Sequence, residues 1–399
     1  MSATHNRFDA LDGLRGVAAI AVMISHFSQE TVFKNAYEAV DLFFMLSGFV
    51  IAHSYGVRLL NGMTSTEYVS RRLIRLYPML LISLLIALPV FIEAGAVGLS
   101  NYSVRNVAAA TLDNFFLAPY LGDFGAASMT SIQSVPPAQL TIAAIFPSNP
   151  PAWSLFFEVL ASLAFAFVVR LSTRSIFKII VFSAVMFVVF SALTVVETHG
   201  HGFADFEQGW SSSRLDGGFF RIAFGFMAGV FLYNVKSASA KPVRAMVPRV
   251  FANIYVLYAL VLVLFLFPMS LRGLYPMLII FCVAPWLVLF GSTVQCTSPV
   301  EIQIARFLGW LSYPVYLLHY PIGQAVYMVT GTPNASAPAP MLVASAITIV
   351  SAIILTKFVE EPVRNFLSKR FVGRSTAVPV ISLDAATLDA SILSDQTPV

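Results

Sequence analysis

Arg15 and His26 stand eleven residues apart with an apolar run between them. On a helix that spacing is about three turns, so both side chains fall on one side, ~16 Å apart along the axis. In a membrane helix an arginine and a histidine on one face are costly unless paired or wetted, which marks them as a candidate site. Asp41 opens the next apolar stretch. A carboxylate beside an imidazole can accept its N–H, fix its tautomer and stabilise its charged form. Such a pair can equally do no more than hold two helices together. Arg71, Arg72 and Arg75 lie at helical spacings of three and four, one cationic patch. Guanidinium forks match phosphate oxygens, although arginines there also serve as topology anchors. Glu158 shares a helix face with Ser154, and Ser312, Tyr316 and His319 recur at i, i+4 and i+7.

The elements that must position these groups are apolar helices. Of 399 residues, 58% are hydrophobic and 11% charged, with a mean hydropathy of +0.79. A soluble domain carries about 25% charge. The fold class is therefore all-α, a polytopic membrane protein, and nucleic acid is not an expected partner. Windows able to span a bilayer fall at Leu11–Phe27, Val40–Tyr55, Leu76–Val97, Trp153–Leu171, Ile176–Val196, Phe219–Val235, Phe251–Phe267, Leu274–Gly291, Phe307–Val329 and Met341–Val359, ten in all. With the N-terminus inside, eighteen Lys and Arg residues fall on inner segments and four (Lys34, Arg105, Arg214, Arg272) on outer ones. The positive-inside rule then puts both termini in the cytoplasm.

Orientation converts position into depth. Arg15 lies towards the cytoplasm, and His26 leaves its helix at about the level where Asp41 enters the next. His319, ~20 Å up the ninth span, approaches that level. Ser47 and Gly48 permit a close helix approach, as do the glycines around Arg221. Trp153 suits an interfacial belt. Pro314 and Pro321 are expected to bend their helix and free carbonyls. Glu360 and Glu361 either meet the arginine patch or cap their helix. His53 reads as an interfacial residue.

The longest outer loop, Gly98–Ala152, is proline-rich and could cover an outward-facing site, with an inward piece around Phe115–Tyr120. His5, His199 and His201 lack supporting metal ligands, and no metal is expected. Cys282 and Cys296 read as packing residues. The polar N-terminus does not read as a signal peptide. Residues 1–371 form one membrane domain, and 372–399 read as a disordered cytoplasmic tail.

Six stretches in order carry a family resemblance. They are Arg15 with His26; Asp41-Leu-Phe-Phe-Met-Leu-Ser-Gly-Phe-Val-Ile; Arg72-x-x-Arg75-Leu-Tyr-Pro; Trp153-Ser-Leu-Phe-Phe-Glu158; Gly309-Trp-Leu-Ser-Tyr-Pro-Val-Tyr-Leu-Leu-His319; and Glu360-Glu361-Pro362-Val-Arg364. From Arg7 to about Phe366 the chain resembles the acyltransferase-3 family of integral membrane acyltransferases, in its stand-alone form without an appended hydrolase-like domain. The resemblance implies a multi-pass protein of the bacterial inner membrane. It implies transfer of an acyl group, acetyl foremost, from cytoplasmic acyl-CoA to a hydroxyl of an extracytoplasmic or lipid-linked glycan or similar acceptor. On that reading His26 is the general base, oriented by Asp41. Arg15 and Glu158 complete the catalytic set. Arg71, Arg72 and Arg75 hold the CoA phosphates, and Ser47, Trp153, Tyr316 and His319 line the path. Membrane lipid and the acceptor are the partners, and assembly into a homo-oligomer is left open, as are an acyl-histidine intermediate and the identity of the acceptor. The rival readings are a transporter or flippase without catalysis and a scaffold of a polysaccharide export complex.

Overall fold

The computed structural model describes residues 7–96, 104–121, 144–200, 202–239, 253–267, 273–330 and 338–372. His5, His201, much of the long outer loop, and residues 373–399 of the tail lie outside the described residues. Those described are helical, with one isolated bridge between Ala144 and Ser211 and no strand. The helices are α1 (Asp9–Phe27), α2 (Ala39–Leu60), α3 (Ser65–Ala96), α4 (Val104–Phe115), α5 (Ala152–Val168), α6 (Thr173–Glu197), α7 (Leu215–Ala238), α8 (Ile254–Leu266), α9 (Leu274–Leu278), α10 (Ala284–Gly291), α11 (Pro299–Thr330), α12 (Pro338–Leu355) and α13 (Glu361–Phe371). π-Helical turns at Ile279–Val283 and Thr356–Glu360 join α9 to α10 and α12 to α13.

Every apolar window lands on a helix. Among the described residues, seven helices are long and apolar enough to cross a membrane. The other three windows fall on α5, with 17 residues, on α8, with 13, and on α11, which is long but studded with polar groups. The chain is a multi-span membrane protein.

Small residues set the helix spacing. A Cβ on Gly16 of α1 would sit 2.3 Å from the Leu308 carbonyl oxygen of α11, and one on Gly48 of α2 would sit 2.0 Å from the Phe226 carbonyl oxygen of α7. These two pairings, α1 on α11 and α2 on α7, are the tight axes of the bundle, as small-residue packing in lipid requires.

α3 begins eleven residues before the apolar window. Thr64 Oγ1 caps it by accepting from the Glu67 amide, and Arg71, Arg72 and Arg75 continue the same helix. α11 runs unbroken through Pro314 and Pro321. Pro321 has no N–H for the Leu317 carbonyl, and Asn149 Nδ2 supplies the donor at 2.9 Å. The same nitrogen lies 2.9 Å from Ser83 Oγ on α3. Asn149 thereby ties the end of the long loop to two helices. Residues 145–149 are all buried, whereas Phe115 and Phe116 are exposed. Leu117 and Tyr120 are buried as well, and the Tyr120 N–H donates to the Ile145 carbonyl, so the inward piece takes in Ile145–Asn149 beside part of Phe115–Tyr120. Because that turn dips into the bundle, α5 starts deep inside it.

Candidate functional site

α1, α2, α3, α5 and α11 enclose two adjoining cavities. The outer one, about 670 Å³, is a mouth where α1 begins and α2 ends; Arg7, Arg58, Arg364, His53 and Trp310 line it. The inner one, about 90 Å³, is lined by Phe43, Ser47, Arg72, Ser154, Glu158 and Tyr316 among others. Arg15, Val50, Arg75 and Tyr313 border both. Five helices far apart in sequence therefore bring Arg15, Ser47, Arg72, Arg75, Glu158 and Tyr316 to two cavities that share four lining residues, and His26 and His319 line neither.

The charged groups in that space are not equally occupied. Arg72 is buried and pairs with Glu158 at 2.8 Å, while its Nε finds no acceptor. Ser47 Oγ donates to the same Glu158 oxygen at 2.9 Å. Arg15 donates from Nε to Ser312 Oγ at 3.0 Å and from Nη2 to the Gly309 carbonyl at 3.2 Å. Among the described residues nothing hydrogen-bonds or ion-pairs with the Arg75 guanidinium, and its accessible surface faces the two cavities it borders. An unpaired guanidinium facing a cavity has the chemistry to take an anion. Arg71 departs from the expected patch: it turns away to Glu67 on its own helix, 2.7 Å, and borders neither cavity. Glu360 pairs with Arg364 at 3.0 Å, and Glu361 accepts from Trp310 Nε1 at 2.9 Å, so neither acid meets the arginine patch.

One turn beyond the inner cavity lie the histidines. The shared face of Ser312, Tyr316 and His319 points at the site, each residue with a different partner. Ser312 meets Arg15, Tyr316 Oη lies 2.9 Å from Ser154 Oγ, and His319 Nε2 lies 2.8 Å from His26 Nδ1. His319 is fully buried; His26 is half-buried. The ring protons follow from the acceptors. His319 Nδ1 lies 3.1 Å from the Val315 carbonyl, which can only accept, so Nδ1 carries the hydrogen. In the neutral ring Nε2 is then an acceptor, and His26 Nδ1–H donates to it. That leaves the His26 Nε2 lone pair free, the arrangement a general base needs.

The expected pairing of His26 with Asp41 is therefore replaced. Both Asp41 oxygens are taken by Arg221, Nε to Oδ1 at 2.9 Å and Nη2 to Oδ2 at 2.6 Å, and both side chains are 2% exposed. Arg221 Nη1 donates to the Gln208 carbonyl at 3.1 Å, and the guanidinium lies 5.4 Å from the Trp153 ring centre. A carboxylate deep in an apolar bundle takes the strongest donor in reach, and a bidentate guanidinium outcompetes an imidazole. Trp153, expected in an interfacial belt, is buried beside this pair and Phe44, outside the cavity lining. His199 is exposed, with φ +49°. Both cysteines are free thiols.

The acyltransferase-3 family model, described as an acyltransferase domain, matches residues 8–357. The chain belongs to the acyltransferase-3 family. A relative, "Protein 2 in picA locus" of Rhizobium radiobacter, is 33% identical over 193 residues, covering 47% of this chain and 95% of that protein. No solved structure matches. Membership places the cavities and histidines in a membrane acyltransferase. Asn149, Ser154, Arg58, Arg364 and Arg221 join the picture without having been singled out as site residues. A proline four residues after a buried carbonyl, as Pro321 is to Leu317, was the one signal pointing to an Asn149-like donor.

Proposed function

We propose that this membrane acyltransferase moves an acyl group, acetyl foremost, from cytoplasmic acyl-CoA to a hydroxyl of an extracytoplasmic or lipid-linked glycan or similar acceptor. The observation that carries the reading is Arg75, an unengaged guanidinium bordering both the wide mouth and the inner cavity. A nucleotide donor is a polyanion, and the mouth gathers Arg7, Arg58 and Arg364 around that same residue. The positive-inside count, eighteen against four, turns this mouth to the cytosol, where acyl-CoA is made, with ten spans and both termini inside.

Arg75 and Arg72 hold the donor phosphates or the groups next to them, and the pantetheine arm follows the narrowing cavity inward. Arg71, on its separate face, sits at the edge of this surface. His26 takes the acceptor hydroxyl proton on Nε2 as the oxygen attacks the thioester carbonyl. His319 fixes the tautomer, the part first expected of Asp41. Arg15, about three turns below His26 with its fork held by Ser312, lines the path of the donor. As the tetrahedral intermediate collapses, the carbon–sulfur bond breaks and the proton held by His26 goes to the departing CoA thiolate. The ester and CoA are the products. Asp41 and Arg221 hold α2 to α7 and so set the wall that carries Ser47.

Labelled acetyl-CoA added to inside-out vesicles tests the reading. Free CoA together with labelled ester on the lumenal side is the expected result. Label crossing the membrane with its thioester intact identifies a flippase and contradicts transfer.

A further inference from the structure

The inner cavity ends on two aromatic rings. Phe43 of α2 and Tyr316 of α11 meet edge to face, with centroids 5.6 Å apart and planes at 88°. Tyr316 is tied in place: its hydroxyl is bonded to Ser154 of α5, and its ring centre lies 6.0 Å from that of His319. Phe43 lacks such a tether; its ring is half-buried and borders the cavity. From the mouth inward the space shrinks from about 670 Å³ to about 90 Å³. Phe44 and Leu155 also line the cavity, with Ser47 and Ser154 the polar groups near this end.

We propose that Phe43, braced against Tyr316, is the end wall that sets acyl length, admitting acetyl and excluding butyryl and longer chains. The proposal rests on the acyl-CoA reading above. A donor whose phosphates lie at Arg75 points its acyl group into the narrow end. With the thioester carbonyl on the Tyr316 side, whose ring adjoins His319, an acetyl methyl stops at the Phe43 ring, whereas each further methylene has to displace a ring wedged edge-on against its neighbour. Overpacking of this kind is resisted because interiors are close-packed. In apolar pockets a single methylene misfit discriminates by about 10–200-fold.

The test uses the full chain in lipid nanodiscs and measures binding of CoA, acetyl-CoA and butyryl-CoA by calorimetry. The wild type is expected to bind acetyl-CoA at least about tenfold more tightly than butyryl-CoA. Phe43→Ala is expected to bring the two within about threefold, a small remnant of that discrimination. Phe43→Leu keeps an apolar side chain and should shift the ratio in the same direction by less. CoA binding with no preference between the two thioesters in the wild type, or a preference unchanged in both variants, overturns the wall alone. Absence of CoA binding by the wild type removes the donor reading and the wall with it.

Discussion

Two charged clusters sit in this apolar bundle, and they are built in opposite ways. At Asp41 and Arg221 the pair closes on itself: two carboxylate oxygens face two guanidinium nitrogens, the third nitrogen bonds the Gln208 carbonyl, and both residues are sealed from solvent. At Arg72, Arg75 and Glu158 valences are left over. One guanidinium keeps a buried orphan Nε, another has no partner among the described residues, and both residues line the inner cavity. Both clusters are arginines with acids on membrane helices, so residue type does not tell them apart. Spare hydrogen-bonding capacity beside a cavity is what the proposed donor site requires. A saturated pair with no room around it marks the one that holds helices together.

Breaking the saturated pair should have the largest effect. Removing one partner of a buried ion pair strands the other, at about 3–5 kcal/mol. Asp41→Ala or Arg221→Ala should lower the amount of folded protein in the membrane and its thermal unfolding midpoint. Asp41→Leu combined with Arg221→Met should recover both, because an apolar pair of similar size is often neutral or better. A recovered but inactive double variant would show Asp41 to be catalytic and collapse the distinction. At the unsaturated cluster, Arg75→Ala should leave folding alone and weaken CoA binding by roughly tenfold to hundredfold, the 1.5–3 kcal/mol of a charged hydrogen bond. Normal CoA affinity in that variant would remove the donor site.

Smaller effects sharpen the picture. His319→Leu deletes the acceptor for His26 Nδ1–H and should lower kcat up to about tenfold, the value of one neutral hydrogen bond, with the acceptor KM unchanged. His319→Gln restores an acceptor oxygen and should recover part of that loss. Equal losses in kcat and KM from both variants would indicate packing alone. Arg71→Ala should have the least effect, within about fivefold in CoA affinity. Its partner Glu67 lies on the same turn at a partly exposed surface, where such pairs contribute 0–1 kcal/mol.

Much of this was legible in the chain because helical periodicity is local. The apolar windows found helices, and the i, i+4, i+7 spacing of Ser312, Tyr316 and His319 correctly gave one face turned to the site. Depth was less legible. Hydropathy stopped the third window at Leu76, yet α3 begins at Ser65, because arginine favours a helix even where it disfavours lipid. With ten spans alternating, Arg72 just before the third window and Glu158 near the start of the fourth fall towards opposite sides of the membrane, yet they pair. The buried turn Ile145–Asn149 carries the start of α5 inward, and the two side chains meet. Partner choice was not legible at all. Arg221 lies 180 residues from Asp41, and its glycine-rich surroundings signalled close packing without naming what would pack there.

The most direct measurement compares acetyl transfer and CoA binding in wild type, His26→Ala and His26→Gln, in membranes holding equal amounts of each protein. Both variants should bind CoA normally and lose transfer by about 10²–10⁴-fold, the contribution of a general base. Transfer near the wild-type rate by either variant, with CoA still bound, would contradict it.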